Sequence, residues 1–240
     1  MIDLSRPPGR PLVVGHRGAA AIAPENTIEG FRAAAALGVD VIEFDVLPLP
    51  AGPIVVAHSL SEVAPALPTF AEALTWFADE ATHVGLHVDF KGSERIDEAA
   101  ALLIEHDVDD RTVLSSVSPD VLRAAGRVSS RVQLALTYPD DRLGISKRPF
   151  MRPLVPVALE ALRVTLPLRL PALLRRAEAG ALMLQHRVVS RAAVARSHAL
   201  GVPVLAWTVD DPADVERMID AGVDGVITND PQILLATLAP

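Results

Sequence analysis

Eight short runs rich in Val, Ile and Leu recur along the 240 residues, at 12–15, 41–46, 85–90, 112–115, 132–136, 181–185, 202–207 and 225–228. Longer Ala-rich segments with helix-like composition separate them, at 27–37, 70–79, 94–105, 119–126, 171–179, 191–199, 212–221 and 231–238. A short apolar run bounded by turn residues suits a strand covered on both faces, and strict alternation with helices makes neighbouring strands parallel. Eight such units favour closure into one (β/α)8 TIM barrel, a fold of roughly 250 residues. An open doubly wound sheet is the competing topology. With no low-complexity linker or repeat, residues 1–240 read as a single domain. An extra strand is expected at 54–57, after the second barrel strand. The connection from Tyr138 to Leu170, after the fifth barrel strand, is too long for an ordinary turn and carries Pro139, Pro149, Pro153, Pro156 and Pro167. It is expected to be an elaborated loop with short helices.

Half of the residues are hydrophobic and 22% are charged, enough apolar matter for a large core and too little charge for wholesale disorder. The formal charge of −8 argues against a general nucleic-acid binder. The absence of cysteine excludes disulfides, thiolate metal sites and a cysteine nucleophile, so any metal must be held by oxygen or imidazole. The opening MIDLSRPPGR lacks a signal-peptide core, and no apolar run approaches the roughly 20 residues that span a bilayer, so a cytoplasmic protein is expected. Charge is unevenly spread. Between 142 and 176 stand eight basic residues (Arg142, Lys147, Arg148, Arg152, Arg163, Arg169, Arg175, Arg176) against the single acid Glu160, a net +7. Interleaved Leu, Val, Phe150 and Met151 make this segment a candidate for peripheral contact with an anionic membrane and for a lid over the site. A packed barrel helix with solvated arginines is the competing reading.

Chemistry-bearing residues gather at the carboxyl ends of the runs, where barrels of this kind build their sites. Gly15-His16-Arg17-Gly18 follows the first run, pairing a guanidinium fork suited to phosphate with an imidazole that moves protons near neutral pH. In Glu43-Phe44-Asp45, period-two alternation places both carboxylates on one face. Two acids in so apolar a run need compensation, by a hard divalent cation or by a barrel arginine or lysine. His87, Asp89 and Lys91 share a face of the next run, so Asp89 can complete an oxygen set or simply pair with Lys91. His58, after 54–57, offers a second imidazole. Asn26 followed by Glu29 reads as a helix cap with its reciprocal acid, so that Asn26 and Thr27 start the first helix, while Gly222 and Gly225 suit a turn or a close approach.

Taken in order, His16-Arg17-Gly18, Pro24-Glu25-Asn26-Thr27, Phe31, Gly38-Val39-Asp40, Glu43-Phe44-Asp45-Val46 and His58 resemble the amino-terminal signature of glycerophosphodiester phosphodiesterases. Trp207-Thr208-Val209-Asp210 and the stretch from Gly222 to Pro231 are similar to the family's carboxyl-terminal motifs. The resemblance implies His16 and His58 as an acid/base pair, with Glu43, Asp45 and Asp89 as ligands of a divalent cation, Mg²⁺ or Ca²⁺. It also implies Arg17 and Lys91 on the phosphate and Trp207 in the substrate pocket. In the implied mechanism, a substrate hydroxyl beside the phosphodiester attacks phosphorus and water then opens the cyclic phosphate. The products are an alcohol and sn-glycerol 3-phosphate. Lysophospholipids are the variant substrate, and a catalytically silent phosphodiester-binding barrel is the rival from another class. Three departures stand out. Ser59 replaces the aspartate common after the second histidine, Asp89 replaces a glutamate ligand, and only residues 59–67 stand where a cap insertion is usual, so the cap is expected to be very short.

Overall fold

A computed structural model describes residues 1–140 and 153–238. Eight strands, β1 (Leu12–Gly15), β2 (Val41–Pro48), β4 (Gly85–Phe90), β5 (Thr112–Ser116), β6 (Gln133–Tyr138), β7 (Ala181–Gln185), β8 (Val204–Trp207) and β9 (Gly225–Thr228), pair in parallel. Pairing of β9 with β1 and of β1 with β2 closes the cylinder. The extra strand β3 (Ile54–Val56) pairs antiparallel with β2 outside the ring, Val46 opposite Val56. The helices are α1 (Ile28–Ala36), α2 (Phe70–Asp79), α3 (Ile96–Glu105), α4 (Pro119–Val128), α5 (Val155–Ala177), α6 (Arg191–His198), α7 (Pro212–Ala221) and α8 (Pro231–Leu238). Closure settles the topology in favour of the TIM barrel over the open sheet.

Two apolar layers follow from strand alternation. The outward residues pack against the helices, with Phe44 of β2 against Phe31 of α1 (ring centroids 5.2 Å apart) and Phe77 of α2 (5.3 Å, stacked). The inward layer consists of strand residues such as Val14, Val41, Val113, Met183 and Ile227, joined by Ile2 and Leu4 of the amino terminus. Local signals set the helix ends. Thr69 and Glu72 form a reciprocal capping box at α2, and Asp211 followed by Pro212 opens α7. Gly222 closes α7 at φ +83°, and a Cβ on Gly225 would lie 2.8 Å from Leu205 Cγ, so both glycines have the structural uses expected of them.

The connection after β6 departs from expectation. Residues 155–177 form one helix of 23 residues with Pro167 and Pro171 in its interior, where separate short helices and a loop were expected, and a helix only from 171. An interior proline costs about 3 kcal/mol. Leu166, Leu170, Leu174 and Ala177 form a buried row at helical spacing, and at about 1.5–3 kcal/mol per buried leucine their burial is of the size needed to offset both interruptions. Arg142, Lys147, Arg148, Arg152, Phe150 and Met151, and the lid expected there, lie outside the described residues.

Candidate active site

Strand register brings the carboxylates together. β2 and β4 pair with Glu43 opposite His87 and Asp45 opposite Asp89, so two acids distant in sequence stand on adjacent strands at one level. One carboxylate oxygen from each of Glu43, Asp45 and Asp89 lies within 4.8 Å of the others. The turn after β1 wraps this group. Arg17 at φ +50° and Gly18 at φ +91° reverse the chain, and a Cβ on Gly18 would lie 2.5 Å from the Gly30 carbonyl carbon, so only glycine fits. The turn directs the Arg17 backbone N–H onto Glu43 Oε2 at 2.8 Å.

Asp45 is buried and surrounded by donors. Lys91 Nζ lies 2.7 Å from its Oδ1, Arg17 Nε makes a 3.0 Å charge contact with Oδ2 without hydrogen-bond alignment, and His58 Nδ1 lies 3.3 Å from Oδ1. Asn26 adds two bonds, donating from Nδ2 to Asp45 Oδ2 at 3.0 Å and accepting the Asp45 N–H at 3.1 Å. Asn26 is therefore not the cap of α1. Thr27 is, accepting the Gly30 N–H, while Asn26 sits at φ +57° facing the acids. Burial alone would raise the Asp45 pKa, but the His58 hydrogen bond and the charges of Lys91 and Arg17 hold it far below the usual carboxylate range. Glu43 moves the other way, well above its usual value, through burial and then the charges of Asp45 and Asp89. Lys91 also pairs with Asp89, and although burial opposes its charge, Asp89, Asp45 and Glu43 raise its pKa.

With Glu43 ionised, three carboxylates facing Arg17 and Lys91 leave an excess negative charge, which opposes an anionic phosphodiester. A divalent cation held by Glu43, Asp45 and Asp89 would reverse that sign and relieve the repulsion that raises Glu43. The all-oxygen donor set is the kind hard cations take, and the residues present fit such an ion.

Both histidines are anchored through Nδ1. His16 Nδ1 lies 2.6 Å from Asn229 Oδ1, and its Nε2 lies 3.8 Å from Glu43 Oε2. Burial lowers the His16 pKa, the Asn229 bond opposing it and Arg17 reinforcing it. Ser59 bonds to Ser61 and Glu62, so it is Asp45 that holds His58. His87 is buried in the barrel interior. Ser115 donates its hydroxyl to Asp89 Oδ1 at 2.7 Å and so accepts from His87 Nε2 at 2.9 Å.

His16, Arg17, Glu43, His58, Asp89, Lys91 and Trp207 all line one cavity of about 440 Å³, with Asp45 behind them. Val117, Met183, Trp207 and Ile227 give it an apolar side, and Pro139 and Asp140 place the start of the connection after β6 in its wall. Every sequence-derived site residue is thus gathered at one end of the barrel. Sequence reasoning assigned no role to Asn229, Asp210 or Ser115, and gave Asn26 the wrong one. Asn26, Asn229 and Asp210 lie in the matched motifs, but no local spacing links them to the site.

The model of the Glycerophosphoryl diester phosphodiesterase family matches residues 16–76 and 62–233. A glycerophosphodiester phosphodiesterase of Caldanaerobacter subterraneus subsp. tengcongensis is 26% identical, over 93% of this chain and 96% of the relative. A Silicibacter pomeroyi structure assigned provisionally to the same activity superposes with a TM-score of 0.78 at 22% identity, covering 98% of this chain and 95% of that one. An Oleispira antarctica phosphodiesterase solved with the product sn-glycerol-3-phosphate gives 0.71 at 20% identity, over 95% and 96% of the two chains. At these identities the two structures speak to the fold alone, whereas the family match spans most of the chain. The chain belongs to the glycerophosphoryl diester phosphodiesterase family and is a glycerophosphodiester phosphodiesterase.

Proposed function

We propose that this enzyme releases an alcohol and sn-glycerol 3-phosphate by histidine acid/base catalysis supported by a divalent cation, Mg²⁺ or Ca²⁺. The observation that carries this reading is the convergence of two Nδ1-anchored imidazoles, three carboxylates, Arg17 and Lys91 on one cavity. Glu43, Asp45 and Asp89 would hold the cation, which when bound supplies charge neutralisation on the phosphate and orients the glycerol hydroxyls. Arg17 and Lys91 hold the phosphate oxygens, Arg17 as a planar fork and Lys91 as a point charge. His16, kept neutral by burial, takes the proton from the attacking glycerol hydroxyl. His58, whose side chain is 37% exposed, gives a proton to the leaving alcohol at the cavity mouth. The pair exchanges roles when water opens the cyclic phosphate. Trp207 and its apolar neighbours shape the pocket around the substrate. Neither side-chain departure from the family pattern, at 59 or 89, removes a component, since Asp45 anchors His58 in the place of a residue at Ser59, and Asp89 keeps an oxygen within the acidic group.

Turnover of glycerophosphocholine tests this reading. Chelation should abolish it and Mg²⁺ or Ca²⁺ should restore it. Chelator-resistant turnover would remove the cation from the mechanism.

One observation favours a second substrate source. Leu154, Val157, Val164 and Leu168 at and along the start of α5 are solvent exposed, Leu168 by 87%, on a helix that also carries Arg163, Arg169, Arg175 and Arg176. No helix among the described residues is long and apolar enough to cross a membrane. An exposed apolar row beside cationic side chains suits peripheral contact with an anionic lipid surface, from which a lysophospholipid would enter the same cavity. Co-sedimentation with anionic vesicles should exceed that with neutral vesicles and fall at high salt. Equal partitioning in all three conditions would reject the contact.

A further inference from the structure

Asn229 meets His16 at Nδ1, with Asp210 behind Asn229, and their hydrogen bonds fit together in one way. Asp210 Oδ1 accepts the Asn229 backbone N–H at 2.8 Å and the Thr228 hydroxyl at 3.0 Å. Its Oδ2 accepts from Asn229 Nδ2 at 2.7 Å. A carboxylate can only accept, so the Asn229 amide must turn its NH₂ toward Asp210 and its oxygen toward His16. That oxygen, 2.6 Å from His16 Nδ1, can only accept in turn, which places the imidazole proton on Nδ1 and leaves the Nε2 lone pair facing Glu43 and the cavity. The main chain braces the same unit, because the His16 N–H donates to the Thr228 carbonyl at 2.8 Å.

We propose that Asp210 is a positioning residue that, acting through the Asn229 amide, sets the tautomer of His16 so that Nε2 is the proton acceptor. The proposal rests on His16 serving as the base. It goes beyond that reading by tracing the orientation of the base to a carboxylate it does not contact. Asp210→Asn tests this with an isosteric change. An amide at 210 that keeps its oxygen on the Asn229 N–H and Thr228 presents its own NH₂ to Asn229 Nδ2, a donor against a donor. The Asn229 amide turns over to relieve this, its NH₂ then faces His16 Nδ1, and the ring proton moves to Nε2. In the double variant Asp210→Asn/Asn229→Asp, the amide at 210 donates to the carboxylate at 229, whose other oxygen again accepts from Nδ1.

The experiment is ¹⁵N NMR of the imidazole nitrogens in the full chain with Mg²⁺ present, His16 being assigned by subtraction with His16→Gln, together with kcat and KM for glycerophosphocholine. Wild type should show the Nδ1–H tautomer. Asp210→Asn should show Nε2–H with kcat down about 10²-fold or more and KM changed only a few fold, since a base in the wrong tautomer forfeits its share of proton transfer. The double variant should recover the Nδ1–H tautomer and most of the lost kcat. Retention of Nδ1–H in Asp210→Asn would overturn the proposal, as would loss of activity in that variant without a tautomer change. A tautomer change with kcat intact would uphold the relay and overturn His16 as the base.

Discussion

Asp45 draws two cations, an imidazole and an asparagine amide onto one buried carboxylate, so one of the three candidate metal ligands is also the site's structural anchor. The two uses are compatible because the Arg17 contact on Oδ2 is not a hydrogen bond, so that oxygen keeps an acceptor direction beside the Asn26 bond. His16 and His58 depend on this anchoring unequally. His58 is held by Asp45 itself, and His16 by Asn229, which belongs to the opposite end of the chain. His16→Ala and His58→Ala should each lower turnover at least about 10²-fold, in line with the 10² to 10⁴ that acid/base groups contribute. Circular dichroism and thermal melts should remain near wild type, since neither ring is part of the apolar core. Near wild-type activity in either variant would remove that residue from the mechanism. The residues found from sequence were those whose chemical type is out of place in an apolar strand end, such as Glu43, Asp45 and Asp89. Asn26 was misread because an asparagine one residue ahead of the range expected for the helix, 27–37, has a local explanation, and its bonds to Asp45 cross 19 positions of sequence.

Elements were legible where local rules and tertiary packing agree. The ranges expected for α2, α7 and α8 coincide with the structure, each start being marked by a threonine cap or a proline at the first turn. β1, β4, β7 and β9 coincide with their expected runs, whereas β2, β5 and β6 end one or two residues later because hydrogen-bonded pairing extends past the apolar run, and β8 starts later, at Val204. The part of α5 before Pro171 was missed because proline is a local signal and the burial that offsets it is not. That explanation has a consequence for the helix itself. If the row Leu166, Leu170, Leu174 holds the proline-interrupted segment on the barrel, Leu170→Ala should destabilise the protein by about 2–5 kcal/mol, the range for buried leucine truncation. A change in urea midpoint equivalent to less than about 1 kcal/mol would show that α5 is held by its own propensity instead.

At the scale of the whole molecule, the barrel interior is apolar at its amino-terminal end and ionic at the other, and His87 sits between them, 3% exposed. Burial pushes its pKa down to about 4, against an ordinary value near 6.5, with Asp89 opposing and Lys91 reinforcing the shift. The folded protein therefore keeps His87 neutral over a range in which the unfolded chain protonates it. Because the unfolded state binds more protons between about pH 6.5 and 4, stability rises with pH across that window and is lost as pH falls through it. Below about pH 4 the folded form also takes the proton and the loss levels off. Between pH 7 and 4.5 the contribution is about 2–3 kcal/mol, at 1.36 kcal/mol per pKa unit. Other groups also titrate over this range, so the prediction concerns a difference between two proteins. His87→Gln keeps a donor for Ser115 and has no titration, so its urea-derived stability should fall by about 2–3 kcal/mol less than wild type between pH 7 and 4.5. Parallel losses in the two proteins would mean that His87 accepts its proton in the folded barrel as readily as in water, and that the interior beneath the carboxylates is accessible to solvent.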